Sequence, residues 1–179
     1  MSGRQATPVR RDGSFDAFEL SARAGEIEGS VDAAQLPRFA DRLVAGDATA
    51  AVVSWRIAGT QDALGRPALV IALDGTVPLE CQRCLEPFAW PVAQRTLLLL
   101  AKDERELARL DEDDEHEVVL ASAPLDPRAL VEDELLLTLP FAPRCARPEC
   151  VDAAPVAATA KQTPFGALAG WKPAPKRGK

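Results

Sequence analysis

The sequence predicts a single α+β domain built on an antiparallel sheet, one that could curl into a barrel-like form, with flanking helices. Three observations carry this expectation. Strand-like apolar segments follow one another between residues 48 and 101, a leucine-rich helical segment follows after residue 125, and 47% apolar content over 179 residues is enough for a real core. The predicted boundaries are a flexible arm at 1–14, a core domain at 15–144, and a cysteine-bearing tail at 145–179 that ends in a short helix.

The elements follow in order. "FDAFEL" opens the core as a short helix or strand. "SVDAAQLPRFADRL" predicts a helix: Asp32 can cap it, Gln35 stands at N3 of a capping box, and Leu36, Phe39, Ala40 and Leu43 recur at helical spacing. "ATAAVVSWRIAG" then reads as a strand and "TQDALGRP" as a turn. "ALVIALDGTVPLE" reads as a second strand, interrupted or bulged near Asp74-Gly75. "FAWPVAQRTLLLLA" is a further extended segment, with Pro91 arguing against a central position. Trp55 and Trp90 read as core aromatics rather than as stacking platforms for nucleic acid, because no basic residues interleave with them.

Net charge is −6, and the stretch "KDERELARLDEDDEHE", Lys102 to Glu117, accounts for all of it. That run predicts a solvated loop or a short frayed helix, followed by a strand at "EVVLAS". "PLDPRALVEDELLLTLPF" predicts a helix opening at Asp126-Pro127 and stopped by Pro140. Its leucines form one face, and Glu132, Asp133 and Glu134 solvate the opposite one. "RCARPECVDAAPVAATAKQ" predicts no regular structure. In "TPFGALAGWK", Phe165, Leu168 and Trp171 are spaced for a short amphipathic helix that is not stable alone.

Several functional classes are excluded by what the chain lacks. It has no P-loop, no dinucleotide fingerprint and no histidine pair, and its only histidine, His116, sits in the acidic run, so no enzyme activity is expected. No apolar run reaches the roughly 20 residues of a membrane span. The N-terminal "MSGRQATPVRRDGSF" lacks the apolar segment of a secretory signal. The expected compartment is the cytoplasm, with no membrane partner. An acidic total argues against general wrapping of phosphate backbones, and no DNA partner is expected.

The sharpest chemical feature is the set of four cysteines, Cys81, Cys84, Cys145 and Cys150, in the order C-x2-C and C-x4-C. Two short-range pairs can supply four soft ligands to zinc if the fold joins them, and such a site, with every position filled, would be structural. Two other readings stay open on residue types alone. Reduced, buried cysteines need no ligand, and a thiol redox pair would need an exposed thiolate of low pKa.

"VPLECQRCLEPF", "LVEDELLLTLPFAP" and "TPFGALAGWK" together resemble the YceD-like family of large ribosomal RNA subunit accumulation proteins, over about Leu69 to Lys172. Cys81, Gln82, Arg83 and Cys84 match its central motif. Val131, Glu132, Asp133, Glu134, Leu135 and Leu136 match its acidic-leucine block, and Pro164, Phe165, Ala167, Leu168 and Lys172 its terminal block. Thr163, Gly166 and Trp171 depart from that last pattern, and Cys145 stands where relatives carry His. The resemblance implies a non-catalytic role in synthesis, processing or stability of large-subunit ribosomal RNA. Its implied partners are precursor RNA or an early ribosomal protein. Arg83 is the candidate contact to phosphate or carboxylate, and Phe165, Leu168 and Trp171 are candidate partner-binding residues. A zinc-bearing interaction module or ribosomal-protein chaperone without RNA contact is the alternative, and the acidic run could then shield a basic partner.

Overall fold

The computed structural model describes residues 10, 13–44, 51–112 and 116–151. The chain divides into two units, Met1–Cys145 and Ala146–Lys179. The first is an α+β body on one five-stranded sheet, in which strands β1 (Glu26–Asp32), β2 (Val52–Gln61), β3 (Pro67–Glu80), β4 (Pro87–Ala101) and β5 (Glu117–Leu120) lie side by side in chain order. The expected barrel-like closure is wrong. β1 pairs only with β2, and β5 pairs only with the last four residues of β4, so the sheet is open. The physical reason lies on the core face: helix α3 (Pro127–Thr138) sends Leu130, Val131 and Leu135 into the same cluster as Ile57, Leu69, Ile71 and Val77. A layer of helix fills the space that the facing wall of a barrel would occupy.

The β4–β5 pair is also parallel, with Leu98 opposite Glu117 and Ala101 opposite Leu120. A parallel neighbour needs a crossover, and α2 (Glu104–Asp111) supplies it from the acidic run. Asp103 caps α2 by accepting from the Glu106 amide at 2.8 Å, and Leu110 packs on Ala68, Leu99 and Ala101. Charge along this stretch therefore coats a helix with one apolar edge.

Two expectations in the first half are corrected. The helix expected from residue 32 onward is two short 3-10 turns, Ala33–Gln35 and Ala40–Arg42. Asp32 does cap, accepting from Ala34 at 3.0 Å, but Pro37 interrupts the ladder, and the amides of Arg38 and Phe39 are taken by the Glu132 carboxylate at 2.6 and 3.2 Å. Leu36 and Phe39 are nonetheless fully buried, so the apolar stripe is core held by a loop. Strand β1, just before it, escaped the sequence pattern because Gly29 breaks its apolar alternation. The Trp55 ring lies over Gly29, where a Cβ would come within 2.6 Å of it.

β3 carries no bulge. Its register with β4 runs unbroken through Asp74–Ala93 and Gly75–Val92. Gly75 is instead a close-approach position, since a Cβ there would stand 2.7 Å from the Val52 carbonyl. Pro91 is accommodated because β5 covers only the far end of β4, which leaves no second ladder for Pro91 to interrupt. Helix α1 (Ala17–Ala22) is capped by Asp16 and buries Leu20, and Phe15 and Leu125 exchange backbone hydrogen bonds at 3.0 and 2.9 Å.

Helix α3 keeps Leu130 and Leu135 in the core and Asp133 exposed, as expected, but departs from the expected polarity at three positions. Asp126 caps it, accepting from Arg128 at 2.9 Å, but Glu132 and Glu134 are buried while Leu137 is 64% exposed. Within the second unit, α4 (Pro148–Val151) forms where no regular structure was expected. The expected N-terminal arm lies largely, and the terminal helix with Phe165, Leu168 and Trp171 entirely, outside the described residues.

Candidate metal centre

The β3–β4 hairpin ends in the turn Cys81–Glu86. Its first strand delivers Cys81 buried, with the Cys81 amide donating to the Glu86 carbonyl at 3.0 Å and the Leu85 amide to the Cys81 carbonyl at 2.8 Å. Closing so tight a turn puts Leu85 in the left-handed region, at φ 60°. Glycine is the usual residue there, because a Cβ costs about 1–2 kcal/mol in that conformation. Leu85 bears this cost with its side chain 66% exposed.

A second segment meets the turn. After α3 the chain runs out through Pro140 and Pro143, whose carbonyl accepts from the Gln82 amide at 2.8 Å. This bond brings up Cys145. Its amide donates to the Cys81 sulfur at 3.3 Å, and its own sulfur lies 3.8 Å from that of Cys84. Cys145 is buried, and Cys84 is the one cysteine of the four that is half-exposed.

The environment favours thiolate. Backbone amides of Cys145 and then Cys84 point at the Cys81 sulfur, and although burial opposes ionisation, they and the Arg83 amide lower its pKa to about 5. Metal binding needs this species. The four cysteine sulfurs lie within 4.8 Å of one another. Four sulfurs about 2.3 Å from a zinc ion in a tetrahedron stand about 3.8 Å apart, the separation found for Cys84 and Cys145. The donor set therefore fits a structural zinc site, closed to water and substrate once its four positions are filled.

Of the other residues singled out in the sequence, Arg83 is exposed on the turn. Trp55 and Trp90 are half-buried against the core, Trp90 edge-on to Phe88 with ring centroids 6.2 Å apart, and Trp55 beside Gly29 and Arg56 in a surface cleft. His116 is half-buried at the start of β5.

Sequence reasoning missed a groove. Leu79, Leu136, Leu139, Pro140 and Phe141, with Arg42, Glu80 and Gln82 among them, line a cleft of about 670 Å³, and the Phe141 side chain is fully exposed. One signal for it was present: in "LPFAPR", prolines on both sides hold Phe141 in a segment that can neither extend the helix nor join the sheet.

A protein-family model described as "Large ribosomal RNA subunit accumulation protein YceD" matches residues 69–168, a stretch that takes in all but the first two residues of β3, with β4, α3 and all four cysteines. Neither the curated proteins nor the solved structures contain a match.

Proposed function

This chain belongs to the family of large ribosomal RNA subunit accumulation proteins, and from that premise we propose that it serves ribosome biogenesis as a non-catalytic, zinc-bearing protein-interaction module that engages a ribosomal protein. Membership at the family level supports a part in large-subunit ribosomal RNA accumulation. The choice of a protein partner over direct RNA contact rests on one observation: large apolar side chains stand exposed on the cysteine turn and in the groove beside it, whose lining also carries Arg42, Glu80 and Gln82. Leu85 on the turn and Phe141 in the groove are 66% and 107% exposed, and Phe141 borders the groove against Gln82. Large exposed side chains of this kind favour protein contact. Binding to single-stranded RNA would call for a groove of net basic charge, and here Arg42 is matched by Glu80 in the lining.

In this reading zinc acts by holding shape. Cys81, Cys84, Cys145 and Cys150 bind the metal, which fixes the hairpin tip against the segment after α3, and the apolar groove between those two segments keeps its form. Arg83, exposed on the turn, supplies a charged contact suited to a carboxylate of the partner. Among the described residues no helix is long and apolar enough to cross a membrane.

The test is affinity purification from dividing cells, with protein and RNA read out before and after nuclease treatment. A ribosomal protein that stays bound after nuclease, and is lost with Phe141→Asp, is the expected result. Precursor RNA that cross-links at Arg83, with no protein surviving nuclease, would return the function to direct RNA binding. Metal content of the purified chain should be close to one zinc per protein under reducing, chelator-free conditions.

A further inference from the structure

We infer that Cys84 and Cys145 form a site of reversible oxidation, at which a hydroperoxide joins their sulfurs in a disulfide and opens the four-thiol centre. This rests on the zinc reading above and adds a reaction to it. Cys84 is the half-exposed member of the set, whereas Cys81, Cys145 and Cys150 are 0%, 6% and 3% exposed. Oxidants reach exposed thiolates first. The sulfur in position to respond is that of Cys145, 3.8 Å away. A disulfide needs about 2.05 Å, so the two must close by roughly 2 Å. Cys81 is the competing partner: it also hydrogen-bonds Cys84, while its sulfur is held by the Cys145 amide at 3.3 Å, so the linkage formed must be mapped to separate the two.

The chemistry balances with hydrogen peroxide as the oxidant. The Cys84 thiolate attacks one peroxide oxygen, an S–O bond forms as the O–O bond breaks, and the departing hydroxide takes a proton from solvent. The Cys145 thiolate then attacks the Cys84 sulfur of this sulfenic acid. An S–S bond forms, the S–O bond breaks, and a second hydroxide leaves as water. Two thiolates have together lost two electrons, and one peroxide has become two waters. Only Cys81 and Cys150 then remain as ligands, too few for a closed tetrahedral site. The turn and the segment after α3 stay covalently tied, but the metal that shaped the groove is lost. A reductant reverses the step by thiol–disulfide exchange.

The experiment uses the full chain, reduced and zinc-loaded, treated with hydrogen peroxide. Zinc release is followed with a colorimetric chelator, and the disulfide is mapped by tandem mass spectrometry. The expected result is about one zinc released per chain together with a Cys84–Cys145 linkage, both reversed by dithiothreitol and added zinc. Retention of zinc and all thiols in a large excess of peroxide overturns the inference, as does a Cys81–Cys84 linkage in its place. Because Cys84→Ser could disturb folding, limiting N-ethylmaleimide on the wild-type chain provides a second measurement. Cys84 should be alkylated first, and prior labelling of another cysteine overturns the inference. If the chain is isolated without metal yet still forms the Cys84–Cys145 disulfide, the oxidation site stands and the zinc reading falls.

Discussion

The middle of the sheet and the tip of its longest hairpin are held by different chemistry. In the middle, Ile57, Leu69, Ile71 and Val77 meet Leu130, Val131 and Leu135 of α3 in a fully apolar layer. At the tip, β3 and β4 outrun that layer, and the contacts become backbone amides on sulfur, a Gln82–Pro143 hydrogen bond and four clustered thiols. Burial of apolar area is spread over many atoms and tolerates small changes, whereas the tip depends on a few directed bonds. The two regions should therefore fail separately. Leu135→Ala, which opens a cavity beneath α3, is expected to cost about 4 kcal/mol of global stability, read by denaturant melts, while zinc content below the transition is unchanged. A chelator should give the opposite result, loosening amide exchange around Cys81–Glu86 and leaving the middle of the sheet protected.

Helix α3 carries two buried carboxylates whose environments differ. Glu132 accepts from the Arg38 and Phe39 amides and, through Oε2, from the Arg38 guanidinium at 3.1 and 3.0 Å. Burial raises its pKa, but these hydrogen bonds outweigh burial and hold it below the ordinary carboxylate range. Glu132→Ala leaves the two amides without that acceptor, one of them in the core, and should cost about 3 kcal/mol at neutral pH. The sign with pH follows from the lowered pKa. The stabilisation is complete above the ordinary glutamate range and disappears as pH falls through the folded value, so wild type and variant should converge in acid.

Glu134 has the opposite balance. Burial pushes its pKa up, Thr96 offsets part of that by hydrogen bonding, and Glu117 and Asp133 add repulsion; its Oε2 is buried without a partner among the described residues. Stability from the protonated form is present below the ordinary glutamate range and is lost as pH rises through the folded value. Glu134→Leu is therefore expected to stabilise the fold by about 1 kcal/mol at neutral pH, with the advantage vanishing in acid. Paired melts of the two variants against pH should diverge in opposite directions, and parallel curves would refute the assignment.

These carboxylates mark where the sequence was legible and where it was not. The strands at β2, β3 and β4 and the cap at Asp126 follow from local pattern, because each depends on residues close in sequence. The four cysteines could be paired by residue type, since zinc chemistry limits which side chains can join them. Glu132 reads as a solvated residue because its partners lie 94 and 93 positions away, at Arg38 and Phe39, and no local rule places a loop's amides over a helix. The same contact undid the helix expected at residues 32–43. β1 was hidden for a related reason, its Gly29 being set by a cross-strand tryptophan.

The smallest effect tests whether the tip was shaped for stability or for contact. Leu85 holds a left-handed φ of 60° with an exposed side chain, so replacement by glycine relieves a steric cost of about 1–2 kcal/mol against a gain in unfolded-chain entropy of comparable type but smaller size. Leu85→Gly should leave the fold equal or more stable by up to about 1 kcal/mol, a shift best read in the exchange of the Cys81–Glu86 amides, with zinc retained. If Leu85 is kept for a partner, the same variant should bind the ribosomal protein more weakly while being no less stable. Leu85→Asn separates the two terms, because asparagine tolerates the left-handed conformation but presents a polar side chain. Weaker capture in both variants with intact zinc would assign the side chain to the interface. Unchanged capture in both would confine the contact to the Phe141 groove.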